Sequence, residues 1–568
     1  MSAPPPASTV TTTLRALERV RADYGGGAAA TKLSLLHGLA ARRLETAGQV
    51  VRLHEALCFL RAYPDDRRVL AQVERMLARF DRRRDLARHR ARLASTGIAG
   101  TEIRFRFFAA MANWLARRWP RQLAVDWKQF DHRDELERLL PLLVHYGESP
   151  ALDEYDFTLE EWLRKFRGPG ETDATFLIRR FEALRMDGFA REAVYDGLDV
   201  PMVLAPSRDG PSRTRARHPP SRVVFQDRPL SRSRPDLVRE LTIPPRAVRS
   251  VGSREGQRLI DLALESMVTR QRDLDVFTYA DPRDVRMVDD GGGLQFACLG
   301  ALPERRLLLE SVYGYLTLKN GVPIGYVLTS ALFGSAEIAF NVFETFRGVE
   351  AAHVYGRALA MVRHLFDADA FTIYPYQLGE HNDEALASGA WWFYQKLGFQ
   401  PRDRAARALM NRELARMKRD PSHRSSIGTL RRLARSNVYF HLRERREDVI
   451  GLLPLANVGL HVTRYLARRF GADRELATAT CAREAAERLG AGSLSALSRD
   501  ERLAWERWAP LALILPGIER WSRGERRALA EVIRVKGGRR ESDFVLRFDR
   551  HPRLPSALAR LANREPRP

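Results

Sequence analysis

A β-rich region, residues 246–405, lies between two long regions of helical periodicity, and this order limits the possible folds most. Apolar residues recur at helical spacing through residues 11–200 and again beyond 405, whereas period-two alternation is concentrated in between. A chain of 568 residues is too long for a single core. We therefore predict the α+β class, with an all-helical N-terminal domain at 1–203, a β-rich domain at 246–405 and an all-helical C-terminal domain at 406–568.

Residues 204–245 differ in composition from the regions on either side, since they are rich in Pro, Ser and Arg. Such a composition is typical of a linker or of an irregular segment that wraps a domain. A basic arm for RNA is the alternative, and we favour a solvated connection between domains.

The formal net charge is +23, from 94 Lys and Arg against 71 Asp and Glu. Taken alone, this excess suits a polyanionic partner such as RNA, DNA or a membrane surface. Only seven of the basic residues are lysine, and the arginines are spread along the chain rather than gathered in one stripe. The charge therefore does not favour a nucleic-acid partner, although tRNA stays an alternative.

The three cysteines, Cys58, Cys298 and Cys481, lie far apart and follow neither a disulfide nor a zinc spacing. His54-Glu55 opens a zinc-protease pattern, but Cys58 stands where the second histidine is required. We predict no metal, and a structural role for His54.

The N-terminal residues lack the basic and apolar regions of a signal peptide, and no apolar run approaches 18 residues. We therefore expect a cytoplasmic protein without a membrane-spanning segment.

Within the β-rich region, "SVYGYLTLKNGVPIGYVLTSAL" predicts a hairpin that turns at Lys319-Asn320-Gly321. "GSAEIAFNVFE" predicts a further strand, and "RGVEAAHVYGRALAMVRHLF" a helix with small and apolar residues on one face. "AFTIYPYQLG" predicts a strand and "ALASGAWWFYQKLG" a helix, which "FQP" follows as the start of a last strand. The region thus alternates strands and helices.

An Arg-Gly turn, Arg347-Gly348, joins the strand to the first of these helices. Backbone N–H groups at a helix N-terminus converge on an anion, and the helix dipole adds to their attraction. Small residues such as Ala351 and Ala352 let a ligand approach the backbone closely. The turn is a candidate phosphate site; the alternative is that Glu350 merely favours the start of a helix that binds nothing.

The order of hairpin, strand, Arg-Gly turn, helix, strand and a helix ending in Leu-Gly-Phe resembles the GNAT superfamily of acyl-CoA-dependent N-acetyltransferases. The resemblance covers about residues 255–405. The last helix matches the family pattern Ala-x-x-Phe/Leu-Tyr-x-x-x-Gly-Phe at Ala390, Phe393, Tyr394, Gly398 and Phe399. It implies a mixed sheet with helices on both faces, acetyl-CoA or another acyl-CoA as co-substrate, and an amine acceptor.

The resemblance also implies catalytic roles. Glu337, in the strand before the turn, would take a proton from the attacking amine, and Tyr394 would give one to the departing thiolate. The backbone at Val342 and Phe343 would match the strand edge that pairs with the pantetheine arm.

The family's pyrophosphate pattern, Arg/Gln-x-x-Gly-x-Gly/Ala, maps onto Arg347, Gly348, Val349, Glu350, Ala351 and Ala352. Glu350 stands where the family has glycine. A family asparagine usually precedes the last helix, but its position is Ala387 here, and Asn382 is the nearest candidate.

The leading hypothesis is therefore an acyl-CoA-dependent N-acyltransferase in which an amine attacks the thioester directly. Two alternatives remain: a transferase of the same fold that uses aminoacyl-tRNA, and an inactive domain that serves as a scaffold.

Overall fold

The computed structural model describes residues 9–231, 233–348 and 350–565, so Val349 lies outside the described residues. The chain forms two compact units. The first comprises Met1–Leu230, Arg258–Tyr279 and Lys319–Pro323, and the second comprises Ser231–Gln257, Ala280–Leu318 and Ile324–Pro568. This division differs from the four consecutive segments that composition suggests.

The first unit is built mainly from helices that cover a core of leucine, valine and phenylalanine side chains. One of them begins with a reciprocal cap, since Thr158 Oγ1 accepts from the Glu161 N–H while the Glu161 carboxylate accepts from the Thr158 N–H. The helices are α1 Val10–Val20, α2 Ala28–Ala41, α3 Ala47–Ala62, α4 Arg67–Ala78, α5 Arg84–Arg88, α6 Ala109–Arg118, α7 Arg133–Leu143, α8 Ser149–Glu154, α9 Leu159–Phe166, α10 Asp173–Glu182 and α11 Gly188–Gly197.

A three-stranded antiparallel sheet also belongs to the first unit: β1 Ile103–Arg106, β2 Leu123–Val125 and β3 Pro201–Leu204, in the order β1-β3-β2. The prediction of an all-helical N-terminal domain is wrong in this respect. Strands of three or four residues are too short to show a period-two pattern beside long amphipathic helices.

The Pro/Ser/Arg-rich segment packs at both ends instead of forming a loose linker. Thr214 is buried, and its Oγ1 accepts a 2.9 Å hydrogen bond from the Ala99 N–H and lies 2.9 Å from Nε2 of the buried His54. His54 is therefore a core histidine, as predicted. In the second unit, helix α12, Leu237–Thr242, ends the segment.

A nine-stranded mixed sheet forms the centre of the second unit, which confirms the α+β class. Its strand order is β11-β12-β10-β9-β8-β7-β6-β5-β4. The strands are β4 Ala247–Ser250, β5 Ala280–Gly291, β6 Leu294–Ala301, β7 Ser311–Lys319, β8 Val322–Leu332, β9 Ser335–Val342, β10 Ala370–Ile373, β11 Gln400–Pro401 and β12 Val438–His441. The predicted hairpin is β7–β8, and β9 and β10 are parallel neighbours.

Helix α13, Ser253–Val268, has residues in both units, and α14, Asp275–Thr278, belongs to the first unit. In the part of the chain that the structure describes, the second unit contains thirteen α-helices, one of which is α12. The other twelve are α15 Ala351–Phe366, α16 Pro375–Leu378, α17 Asp383–Ser388, α18 Ala390–Lys396, α19 Arg404–Arg419, α20 Ile427–Ala434, α21 Ala456–Phe470, α22 Arg474–Leu489, α23 Arg499–Ile514, α24 Arg523–Lys536, α25 Glu541–Arg550 and α26 Leu554–Asn563.

The C-terminal region is not all-helical, contrary to prediction. Strand β12 lies between β10 and β11 and is antiparallel to both. Its four residues, "VYFH", stand among helical segments, so the sequence gives little sign of the strand. The sheet therefore includes residues beyond 405.

The C-terminal helices are joined to the sheet by buried polar side chains. Lys536 Nζ lies 2.6 Å from Glu541 Oε1, and both side chains are almost fully buried. The Glu541 N–H donates to the Asp284 carboxylate, which also accepts from the Tyr313 hydroxyl. Opposite charge and hydrogen bonds between these groups offset part of the cost of burying them. Among the described residues, no helix is long and apolar enough to cross a membrane.

Candidate functional site

The sheet of the second unit opens between β9 and β10. The two strands pair in parallel at Ser335–Glu337, whereas residues 338–342 of β9 continue in register with β8 after β10 has ended at Ile373. The side chains at the end of β9, Phe340, Asn341 and Val342, line a cavity of about 610 Å³. This volume falls in the range of small-molecule sites.

A tight turn follows β9 and leads to α15. The backbone makes a short 3₁₀ turn at Glu344–Phe346 and then takes a left-handed conformation at Gly348, with φ of 77°. Glycine adopts this conformation without the steric cost that a Cβ brings. A Cβ at Gly348 would meet no atom within 4 Å, so the conformation itself is what calls for glycine there.

The N-terminus of α15 borders the cavity, and Ala351 and Ala352 are among its lining residues. The helix has 16 residues, and its first turn contains no acidic side chain. Glu350 takes the N-cap position and does not line the cavity. The Glu350 carboxylate, which stands where the resemblance leads one to expect glycine, therefore does not narrow the cavity. The helix dipole favours an anion at the N-terminus of α15.

Helix α18 forms the opposite wall, and its aromatic residues hold it in place. Trp391 is buried, and its Nε1–H donates to the Leu433 carbonyl over 3.1 Å. Trp392 Nε1–H donates to Ser425 Oγ over 3.1 Å. The two tryptophans are therefore mainly structural anchors, although Trp392 also lines the cavity.

Tyr394 projects from α18 into the same region and is 3% exposed. Its ring makes edge contacts with Tyr355 and Phe399, at centroid distances of 5.5 and 5.9 Å. Burial raises the pKa of the Tyr394 hydroxyl well above its usual range. The hydroxyl therefore keeps its proton at neutral pH.

Most residues predicted for the site meet at this cavity. Those that line it are Val342, Arg347, Gly348, Ala351, Ala352, Asn382 and Tyr394. Phe343, Glu350 and Glu337 do not line it.

At Phe343, which is predicted to belong to the strand edge that pairs with a ligand, the backbone N–H is already engaged within the protein. Its N–H donates a 2.9 Å hydrogen bond to the Ile324 carbonyl, so this donor is not available to a ligand. The Val342 carbonyl accepts from Arg347 Nε over 3.1 Å. Alternation along a strand identifies which residues share a face, but not which backbone groups a neighbouring strand already uses.

Arg347 is held in an ion pair with Glu384, which also lines the cavity. A carboxylate at this position competes with a ligand phosphate for the guanidinium. Asn382 is similarly engaged: its Oδ1 accepts from the Ala385 N–H and its Nδ2 donates to the Tyr376 carbonyl, each over 3.1 Å. Its side chain caps α17 in addition to facing the cavity.

Glu337 is half-buried at the point where the strands separate. Burial raises its pKa to about 7, and the negative charge of nearby Glu310 adds to the effect. The pKa of the Tyr374 hydroxyl is raised by burial and by the negative charges of Glu337 and Glu310. A carboxyl group with a pKa near neutrality suits proton transfer at physiological pH.

Sequence reasoning missed several lining residues, of which Asn341 is the most informative. Its side-chain Oδ1 is buried and has no hydrogen-bond partner in the part of the chain that the structure describes. Asn341 lies on the same strand face as Glu337, so strand alternation was the signal that could have identified it. A buried acceptor at a cavity wall suits a ligand N–H donor.

Over the described ranges, no group of three or more His, Cys, Asp or Glu side chains is arranged to hold a metal ion. Comparison with protein-family models, with curated proteins and with solved structures finds no match for this chain. Inference about function therefore depends on the geometry of the cavity.

Proposed function

We propose that the second unit is an acyl-CoA-dependent N-acyltransferase that transfers an acyl group of acetyl size to an amine. The observation that carries the proposal is the single cavity at which the end of β9, the Gly348 turn, the start of α15 and Tyr394 meet. These are the segments that the resemblance to the GNAT superfamily assigns to the co-substrate and to the general acid.

The residues at the cavity fit such a co-substrate. The turn at Gly348 and the first N–H groups of α15 suit a diphosphate, because a helix N-terminus attracts anions. The unpartnered Asn341 Oδ1 suits an amide N–H of the pantetheine arm. Tyr394, which is protonated and lines the cavity, would be the group that donates a proton to the departing thiolate.

The reaction would proceed by direct attack of the amine on the thioester carbonyl. Glu337 would first accept a proton from the ammonium form of the acceptor, directly or through water, because an ammonium has no lone pair to attack with. The new C–N bond forms and the C–S bond breaks as Tyr394 donates its proton to the sulfur. The nitrogen then gives up its extra proton through water to the Tyr394 phenolate, which restores the hydroxyl. Glu337 lies on the strand whose end lines the cavity, four positions before Asn341, which corresponds to about 13 Å along the strand.

The proposal is tested by calorimetric titration of acetyl-CoA and CoA into the purified, RNA-free protein. We expect saturable micromolar binding that Arg347→Glu abolishes, because reversal of this charge repels a diphosphate. Release of CoA thiol in the presence of a panel of primary amines would then measure turnover.

The outcomes separate the proposal from its two alternatives. If neither acetyl-CoA nor CoA binds to a folded sample, the proposal is overturned. Co-purifying tRNA, together with transfer from aminoacyl-tRNA, would favour the RNA-dependent transferase. If acetyl-CoA binds but no CoA thiol is released, and if Tyr394→Phe leaves this binding unchanged, the scaffold is favoured.

A further inference from the structure

Three cationic side chains converge at the C-terminal end of α18. Lys396 is the last residue of the helix, Arg234 lies in the segment before α12, and Arg424 lies in the loop between α19 and α20. The pKa of Lys396 is lowered by partial burial and by the positive charges of Arg234 and Arg424. Arg234 and Lys396 also line the same cavity, and Arg424 adds a further positive charge near Lys396.

The fold holds the elements that carry these cations against the cavity. Ser425, next to Arg424, accepts from Trp392 Nε1–H and donates to Glu413 Oε2 over 2.6 Å, which ties the loop to α18 and α19. Pro235, next to Arg234, lies against Gly356 of α15, where an added Cβ would meet its Cγ at 3.3 Å. The positions of these cations therefore depend on how the loop and the segment that carry them pack, and not only on the length of their side chains.

Within the described residues, none of the three cations forms an ion pair. Glu384, an acid at the same cavity, is paired with Arg347. Arg234 and Lys396 both line this cavity together with Arg347 and Gly348. A cluster of like charges is unfavourable in the free protein, and an anion that binds there removes the repulsion.

We propose that Arg234 and Lys396, supported by Arg424, form a second phosphate subsite that binds the 3′-phosphate of the acyl-CoA. This inference rests on the proposed function. The N-terminus of α15 would take the diphosphate, which leaves the separate phosphate monoester of the same ligand for the cations at the end of α18. A phosphate monoester carries close to two negative charges at neutral pH and accepts several charge-assisted hydrogen bonds.

The subsite predicts discrimination between two ligands that differ by one phosphate. We would titrate acetyl-CoA and acetyl-dephospho-CoA into the full-length protein by calorimetry at fixed ionic strength. The wild-type protein is expected to bind acetyl-CoA at least about tenfold more tightly, since one charge-assisted hydrogen bond is worth about that factor.

The variant Arg234→Gln/Lys396→Gln is expected to bring the two affinities within about twofold of each other by weakening acetyl-CoA alone. The matched control is Arg404→Gln/Lys418→Gln, which removes the same charge from exposed positions of α19 that do not line the cavity. The control should keep the wild-type discrimination, which separates a local subsite from a general effect of net charge.

The possible failures are distinguishable. If the wild-type protein binds both ligands equally, the subsite is overturned and the proposed function stands. If neither ligand binds, both are overturned. If the variant loses affinity for an RNA oligonucleotide while discrimination between the two ligands is unchanged, the cations serve RNA and the subsite is overturned.

Discussion

Glu337 and Thr372 form the last residue pair between the parallel strands β9 and β10. Beyond this pair, β9 keeps its register with β8 as far as Val342, and its side chains reach the cavity. Glu337 therefore stands where the sheet begins to open. Its position explains both its partial burial and the rise of its pKa to about 7.

Replacement of Glu337 by glutamine should lower kcat/KM by about 10²- to 10⁴-fold, the usual contribution of a general base. In the wild-type protein the base form of Glu337 increases as pH rises through its pKa of about 7. Activity should accordingly increase between pH 6 and pH 8. Thiol release measured across this range checks the prediction, and a wild-type profile that is flat there would contradict it.

Glu337→Gln should lower activity without lowering stability. A measurement of stability therefore serves as the control for this variant. Because the folded-state pKa lies above the unfolded value of about 4.5, the stability that Glu337 contributes is present at low pH and is lost as pH rises through 7. Glu337→Gln should thus unfold at an equal or higher temperature than wild type at pH 8, and a lower one would point to a structural role.

Replacement of Tyr394 by phenylalanine should reduce kcat by about 10²- to 10⁴-fold and leave the affinity for acetyl-CoA nearly unchanged. The ring contacts with Tyr355 and Phe399 are kept, and only the acidic hydroxyl is lost. Steady-state kinetics and calorimetry measure the two effects separately. An equal loss of binding and turnover would mean that the hydroxyl holds the ligand and does not act as an acid.

Replacement of Gly348 by alanine should weaken acetyl-CoA binding, because a residue with a Cβ pays about 1–2 kcal/mol to keep a left-handed conformation. Relaxation of the turn would then shift the N–H groups that face the diphosphate. Gly490→Ala is the control. Gly490 lies at the end of α22, has a left-handed φ of 64°, and an added Cβ there would meet no atom within 4 Å, as at Gly348. Similar affinity losses in both variants would argue against a role for the turn.

Replacement of Glu384 by glutamine should tighten acetyl-CoA binding several-fold. The change releases Arg347 from its carboxylate partner and removes a negative charge from the cavity wall. Asp383→Asn is the matched control, because Asp383 precedes Glu384 on α17 and does not line the cavity. Weaker binding in Glu384→Gln would instead show that the ion pair positions Arg347 for the ligand.

Replacement of Lys536 by methionine should destabilise the second unit by about 3–5 kcal/mol, because it leaves the Glu541 carboxylate buried without its partner. Chemical denaturation followed by tryptophan fluorescence measures the change. The double variant Lys536→Met/Glu541→Leu should recover much of the loss, and Arg534→Met, on the exposed side of the same helix, should change stability by less than about 1 kcal/mol.

Local sequence signals predicted the elements correctly where the structure depends on residues close in sequence. The hairpin turn at Lys319-Asn320-Gly321, the strand that contains Glu337 and the helix that begins at Ala351 all appear where their patterns placed them. The reason is that turn chemistry and periodicity act between residues close in sequence. The same signals indicated the segments that border the cavity.

Sequence signals did not show which hydrogen bonds a predicted site residue already makes within the protein. Phe343 uses its N–H in pairing with Ile324, and Asn382 spends its amide on the start of α17. Neither use is visible from a motif, because a motif records which residues are present and not which hydrogen bonds the neighbours have already formed.

By itself, the sequence determined the kinds of elements in the β-rich region and the glycine turn before α15, because both follow from local backbone preferences. Only the tertiary structure decided that β12 enters the sheet between β10 and β11, and that Arg234, Lys396 and Arg424 meet at the end of α18. These contacts join residues tens to hundreds of positions apart. They depend on the packing of whole elements, which no local pattern encodes.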